Sequence, residues 1–171
     1  MIYVCNLLDM PRCVDELRPS HLISLVAPDE MPETPSGVRA SCHLRIACHD
    51  IVEPIAEHIL PDIEHVRILI AFAERWNRDS PMLIHCVAGV SRSMAAALVV
   101  STLQAGGCEH ELAQGLRARA PHANPNWRII ALADELLGRG GRLNDAVKSM
   151  GPAQTIESGV LVELPQIDVS K

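Results

Sequence analysis

Ser93 to Ala105 is apolar almost all the way round, with Met94 to Val100 an unbroken apolar run, and this stretch limits the fold more than any other. A helix without a polar face has to be covered on every side by its own domain. The run is far too short to span a bilayer, so protein must do the covering. The elements that could cover it are legible on both sides. Met82 to His85 reads as a strand directly before it, and Gly106-Gly107 stops the helix after it. Upstream, Tyr3 to Leu7, His21 to Ala27 and Cys42 to Cys48 read as strands, and Pro28 to Gly37, with three prolines, as loop. Asp9 before Met10-Pro11 reads as a helix N-cap. Pro61-Asp62 opens a further helix whose Ile63, Val66, Leu69, Ile70, Ala73 and Trp76 form one apolar stripe. Downstream, Glu109 to Ala120 and Asn126 to Leu137 read as helices around the loop Pro121 to Pro125. Gly140 to Gly151 holds one more short helix, and Val160 to Leu164 is a possible edge strand. Strands alternating with helices predict an α/β single domain with a central, mainly parallel sheet of four or five strands flanked by helices.

At 171 residues the chain is long enough for one full core, and 48% hydrophobic with 21% charged residues is ordinary for a globular protein. The net charge is -6, and the fifteen Lys and Arg are scattered. That balance argues against nucleic acid and against an anionic membrane surface as partners. The N-terminal residues lack a basic stretch followed by an apolar run, so the expected compartment is the cytoplasm. Six cysteines, at 5, 13, 42, 48, 86 and 108, show no CxxC spacing. They are expected to stay reduced, and neither a metal nor a cofactor is implied.

The chemistry is concentrated in Leu83-Ile-His-Cys-Val-Ala-Gly-Val-Ser-Arg-Ser93, where an apolar strand runs into Cys86, five residues intervene, and Arg92 opens the buried helix. A helix start leaves backbone N-H groups without internal partners, and the helix dipole adds positive charge there. The amides of Val87, Ala88, Gly89, Val90, Ser91 and Arg92 can therefore wrap a tetrahedral oxyanion, with Gly89 supplying the curvature. The same field favours a thiolate at Cys86, which is the expected nucleophile. Arg92 offers a planar fork for two phosphoryl oxygens. A lone cysteine after a strand is usually a small buried hydrophobe. Here His, Cys, Gly, Arg and Ser at fixed offsets across one junction favour the functional reading.

His85-Cys86-x-x-Gly89-x-x-Arg92-Ser93 resembles the HCxxGxxR[ST] signature of cysteine-dependent protein tyrosine phosphatases, in their compact dual-specificity-like branch. The resemblance implies residues 1–150 as the catalytic domain and 151–171 as a tail. It implies hydrolysis of phosphate monoesters through a phosphocysteine on Cys86, with Ser93 steadying the departing thiolate and His85 orienting the loop from behind. The plainer alternatives are a backbone-satisfied core histidine and a helix N-terminal hydroxyl. The family also places an acidic residue on a loop before the signature strand, and protonating the leaving oxygen is worth about 10² to 10⁴ in rate. Asp50, 36 residues before Cys86 (86 − 50) in the loop His49 to Pro54, is the expected acid, with Glu53 and Asp62 as alternatives. Asp62 is otherwise explained as a helix cap. Asn126, in Ala123-Asn-Pro-Asn-Trp127, resembles the family's loop-bracing asparagine, with a plain N-cap as the alternative.

The loop interior contains no lysine, which argues against highly anionic lipid headgroups. The expected partner is a phosphorylated protein, phosphotyrosine first and dual specificity next, or a small phosphoaryl ester. Aromatic residues are 2% of the chain, leaving Trp127 and Tyr3 as possible rims of a pocket. A rhodanese-like sulfurtransferase, an arsenate reductase and a non-catalytic phosphopeptide-binding module are the rival readings. Cys42 or Cys48 is a candidate resolving partner should Cys86 meet peroxide.

Overall fold

The computed structural model describes residues 1–164. Five strands, β1 (Ile2–Asn6), β2 (His21–Val26), β3 (His43–Ala47), β4 (Met82–Cys86) and β5 (Val162–Leu164), form one sheet in the order β3-β2-β4-β1-β5. β1 to β4 run parallel and β5 is antiparallel to β1, so the expected edge strand is present. The helices are α1 (Met10–Leu17), α2 (Ile63–Glu74), α3 (Arg92–Ala105), α4 (Glu109–Arg119), α5 (Trp127–Leu136) and α6 (Arg142–Ser149).

Alternation along the strands sorts the core onto two faces. Met82 and Ile84 of β4 join a large cluster with α3, Val66, Leu69 and Phe72 of α2, and Ile129 and Ile130 of α5. Leu83 points the other way, to Met10, Cys13 and Val14 of α1 with Val38 and Cys42. The all-apolar α3 is explained by this arrangement, since Met94 through Val100 are all buried. Each such Leu, Ile or Val contributes about 1.5–3 kcal/mol when fully buried.

Two helix starts show how the ends are fixed. Asp62 caps α2 by accepting from His65 N at 3.0 Å while His65 Nδ1 accepts from Asp62 N at 3.1 Å. Asp9 precedes α1 as expected but does not cap it through its side chain. Its carboxylate accepts from Asn6 Nδ2 at 2.8 Å, and Asn6 Oδ1 in turn accepts from Asp9 N at 2.8 Å, so asparagine forms this turn. The Pro28 to Gly37 segment is loop apart from one 3-10 turn, Pro28–Glu30. Among the described residues no helix is long and apolar enough to cross a membrane.

The parallel pairing brings three strand ends together: Asn6 lies beside Cys86 and Ser24 beside His85. Beyond the carboxyl ends of such strands is where open α/β sheets leave room for ligands.

Candidate active site

β4 ends on Cys86 and α3 begins at Arg92, so Val87, Ala88, Gly89, Val90 and Ser91 form a tight loop between a buried strand and a buried helix. Gly89 has φ +70°, and a Cβ there would sit 2.9 Å from Asn6 N and from the Cys5 carbonyl group. No other residue fits that backbone without moving β1. Cys86 is buried, and its Sγ lies 3.1 Å from Ser93 Oγ in the first turn of α3. Ser93 therefore touches the sulfur itself.

Arg92 is 5% exposed, and its Nη1 donates to Cys48 O at 2.6 Å just past β3. That contact ties one end of the guanidinium to the neighbouring strand. Its Nε is buried and has no hydrogen-bond partner among the described residues, which leaves that edge of the fork for a ligand. Asp50 Oδ2 is 4.0 Å from this Nε. Asp50 Oδ1 accepts from Ser91 Oγ at 2.7 Å and from Asn126 Nδ2 at 2.8 Å. A carboxyl group from a separate loop thus lies against the rim of the Cys86 to Arg92 loop.

Asn126 has the plainer of its two expected roles, the helix cap, and its side-chain amide reaches Asp50 and Ile51 O instead of the loop itself. Its Oδ1 caps α5 by accepting from Arg128 N and Ile129 N, each at 3.1 Å, while its amide nitrogen holds Asp50. Of the other acid candidates, one lies outside the cleft and one lines it. Asp62 is occupied at the start of α2, and Glu53 lines the cleft without a hydrogen bond among the described residues.

His85 is fully buried behind the loop, where its Nε2 is 2.6 Å from Ser24 Oγ and its Nδ1 faces Cys86 O at 3.4 Å. Ser24 Oγ is also 2.8 Å from His43 Nε2, and His43 Nδ1 is 2.9 Å from Thr34 Oγ1. A carbonyl can only accept, so His85 Nδ1 carries the hydrogen and Nε2 accepts from Ser24. Ser24 then accepts from His43 Nε2-H, and His43 Nδ1 accepts from Thr34. Burial holds both histidines down to about 4, which keeps them neutral at pH 7. Ser24, His43 and Thr34 are supports that the signature alone does not reveal. The buried polar Ser24 inside an apolar strand is the one sequence signal pointing to them.

Above the loop opens a cleft of about 650 Å³, lined by Asp50, Glu53, Val90, Ser91, Trp127 and Ile156 among others. Among the described residues none of its lining is Lys or Arg. Trp127 is a rim, as expected. Tyr3 is not: it sits on β1, packed on the α1 face of the sheet with Leu161. The two candidate resolving cysteines also separate, because Cys42 belongs to the α1-side cluster and Cys48 to the large one. Burial pushes the Cys48 thiol up to about 11, against the opposing pull of Arg92, so it stays protonated and weakly nucleophilic at neutral pH.

No protein-family model and no curated protein matches the chain. Solved structures do. The chain superposes on DUSP15 with TM-score 0.64 at 20% identity, covering 87% of this chain and 89% of that one. With human DUSP28 the TM-score is 0.60 at 16% identity, over 87% and 92% of the two chains. With the human tyrosine phosphatase-like serine/threonine/tyrosine-interacting protein it is 0.63 at 16% identity, over 81% and 92%.

Proposed function

We propose that this chain, whose fold is that of the compact dual-specificity phosphatases, hydrolyses phosphate monoesters through a phosphocysteine. The observation that carries the reading is the position of Asp50: a carboxyl group from another loop, hydrogen-bonded to Ser91 and 4.0 Å from Arg92 Nε, at the mouth of a cysteine-containing anion loop. A sulfur carrier or a simple binding module has no use for an acid there.

In the first step Cys86 Sγ attacks phosphorus as the thiolate, the bond from phosphorus to the ester oxygen breaks, and that oxygen leaves with a proton from Asp50. Asp50 Oδ1 is occupied by two donors, so Oδ2 is the oxygen that carries the proton. The loop amides and the unpartnered edge of Arg92 hold the equatorial oxygens as charge redistributes. In the second step Asp50 takes a proton from water, the water oxygen attacks phosphorus, and the sulfur-phosphorus bond breaks. Ser93 Oγ, 3.1 Å from Sγ, hydrogen-bonds the departing thiolate. Every group used belongs to the protein.

Apolar side chains at the cleft rim, together with Asp50 and Glu53, favour an aryl ester over a polyanionic headgroup. Phosphotyrosine in a protein is the substrate class proposed, with phosphoserine and phosphothreonine open to the same site. The test is turnover of p-nitrophenyl phosphate and of phosphotyrosine peptides. Cys86→Ser is expected to lose at least about 10³-fold in rate, and undiminished turnover in that variant overturns the reading.

A further inference from the structure

Four of the five carbonyls of the loop Val87 to Ser91 are held from outside. Val87 O accepts from Leu7 N at 3.0 Å, Val90 O from Asn124 N at 2.9 Å, and Ser91 O from Asn126 N at 3.3 Å. Ala88 O accepts from Gly159 N at 2.7 Å, the shortest of these contacts and the only one contributed by the segment beyond α6. In a trans peptide the C=O and the next N-H point in opposite directions. Anchoring Ala88 O on the outer side therefore turns the Gly89 N-H toward the inner, ligand side.

Gly159 is fitted to that task. Its own carbonyl accepts from Asn6 Nδ2 at 2.9 Å, next to Cys86 in the sheet. A Cβ on residue 159 would stand 2.8 Å from Gly89 O, 3.2 Å from Ala88 O and 3.0 Å from His122 Nε2. Two of those neighbours are loop backbone, which cannot yield without displacing the loop. The segment is pinned at both ends as well: Gln154 N donates to Pro121 O at 2.9 Å, and β5 pairs with β1. Ile156, between these points, lines the cleft.

We infer that residues 151–164 form a strap that sets the amide orientation of the oxyanion loop, with Gly159 as the positioning residue acting through Ala88 O on the Gly89 N-H. The assignment rests on the oxyanion-binding reading of the loop. It places the tail inside the working unit, as a part that touches the loop's outer side and leaves the reacting atoms to Cys86, Arg92 and Asp50.

The experiment is tungstate binding, with tungstate as an unreactive phosphate mimic, measured by calorimetry on the full chain beside p-nitrophenyl phosphate turnover. Gly159→Ala is expected to weaken tungstate roughly five- to tenfold, the worth of about one aligned hydrogen bond, and to lower kcat. The Gly89 amide resonance, shifted by tungstate in the wild type, is expected to respond little in the variant. A purely structural role would lower the melting temperature and leave the tungstate affinity of the folded protein unchanged, and that result overturns the strap. If Gly159→Ala does not fold, Asn6→Ala decides: a threefold or greater loss of tungstate affinity supports the strap and an unchanged affinity overturns it. A wild type that neither binds tungstate nor turns over the ester removes the oxyanion site and the strap together. An active wild type matched by Gly159→Ala removes the strap alone.

Discussion

The inner and outer walls of the Cys86 to Arg92 loop are built by opposite means. The inner wall is contiguous: the proposed nucleophile, the amides, the guanidinium and Ser93 follow one another along eight positions of chain, Cys86 to Ser93. The outer wall is assembled from three separate segments, Leu7, the Asn124-Pro-Asn126 stretch and Gly159, each of which presents backbone N-H to a loop carbonyl. Chemistry that needs several groups on one small ligand can be written in one segment. Rigidity cannot, because a loop can only be held from places the chain reaches elsewhere.

If that division holds, inner-wall and rim substitutions should cost rate with little change in stability, and outer-wall substitutions should cost both. The largest effect after loss of the nucleophile is expected for Asp50→Asn, about 10² to 10⁴ in kcat. The loss should be smaller for esters whose leaving group is a stronger acid, and a uniform loss across a leaving-group series would deny Asp50 the proton. Arg92→Lys should lose about 10² to 10³, because a point charge cannot both hold Cys48 O and keep a second edge for phosphoryl oxygens. Equal turnover would show that charge alone suffices there. Asn126→Ala crosses the divide: it removes the α5 cap and a hydrogen bond to Asp50. The expected cost is about 1 kcal/mol of stability and a roughly tenfold lower rate, read by urea unfolding and steady-state kinetics. A change in one without the other would assign Asn126 to a single wall.

The smallest effect is on pH. His85 and His43 stand near 4 in the folded protein against an ordinary value of 6.5, because burial disfavours their charged forms. Between those values the unfolded chain takes up protons that the folded chain refuses, so stability falls as pH drops from about 6.5 toward 4 and is flat in this respect above it. His43→Gln should give a shallower slope of unfolding free energy across that window. An unchanged slope would remove the buried pair from the account.

The same contrast explains what could be read from the chain. α3 was legible because an apolar surface on all sides admits only burial, and the strand before it followed from its position and its run of Leu and Ile. Cys86, Gly89, Arg92 and Ser93 are recognisable because their spacing is local. A strand end and a helix start use an aspartate differently: the structure gives Asp62 its capping partner and sets Asp50 against Ser91. Tyr3 is not a rim because it stands near the start of β1, beside Leu83, while the loop lies beyond the strand ends at Asn6 and Cys86. Gly159 stood in an ordinary Ser-Gly turn, and nothing local tells where such a turn will be pressed. Asp9 suits a cap by type and place, but Asn6 is close enough to take the turn instead.

The row from Thr34 through His43 and Ser24 to His85 has a direction: Thr34 gives a hydrogen, His43, Ser24 and His85 each take one and give one, and the last gives to the carbonyl of Cys86. Such a queue has two self-consistent states, and the second is closed by a carbonyl that has nothing to give. The tautomers of both imidazoles are thereby dictated from the peptide group of Cys86. A change at Thr34, three hydrogen bonds away, should be legible in the nitrogen spectrum of His85.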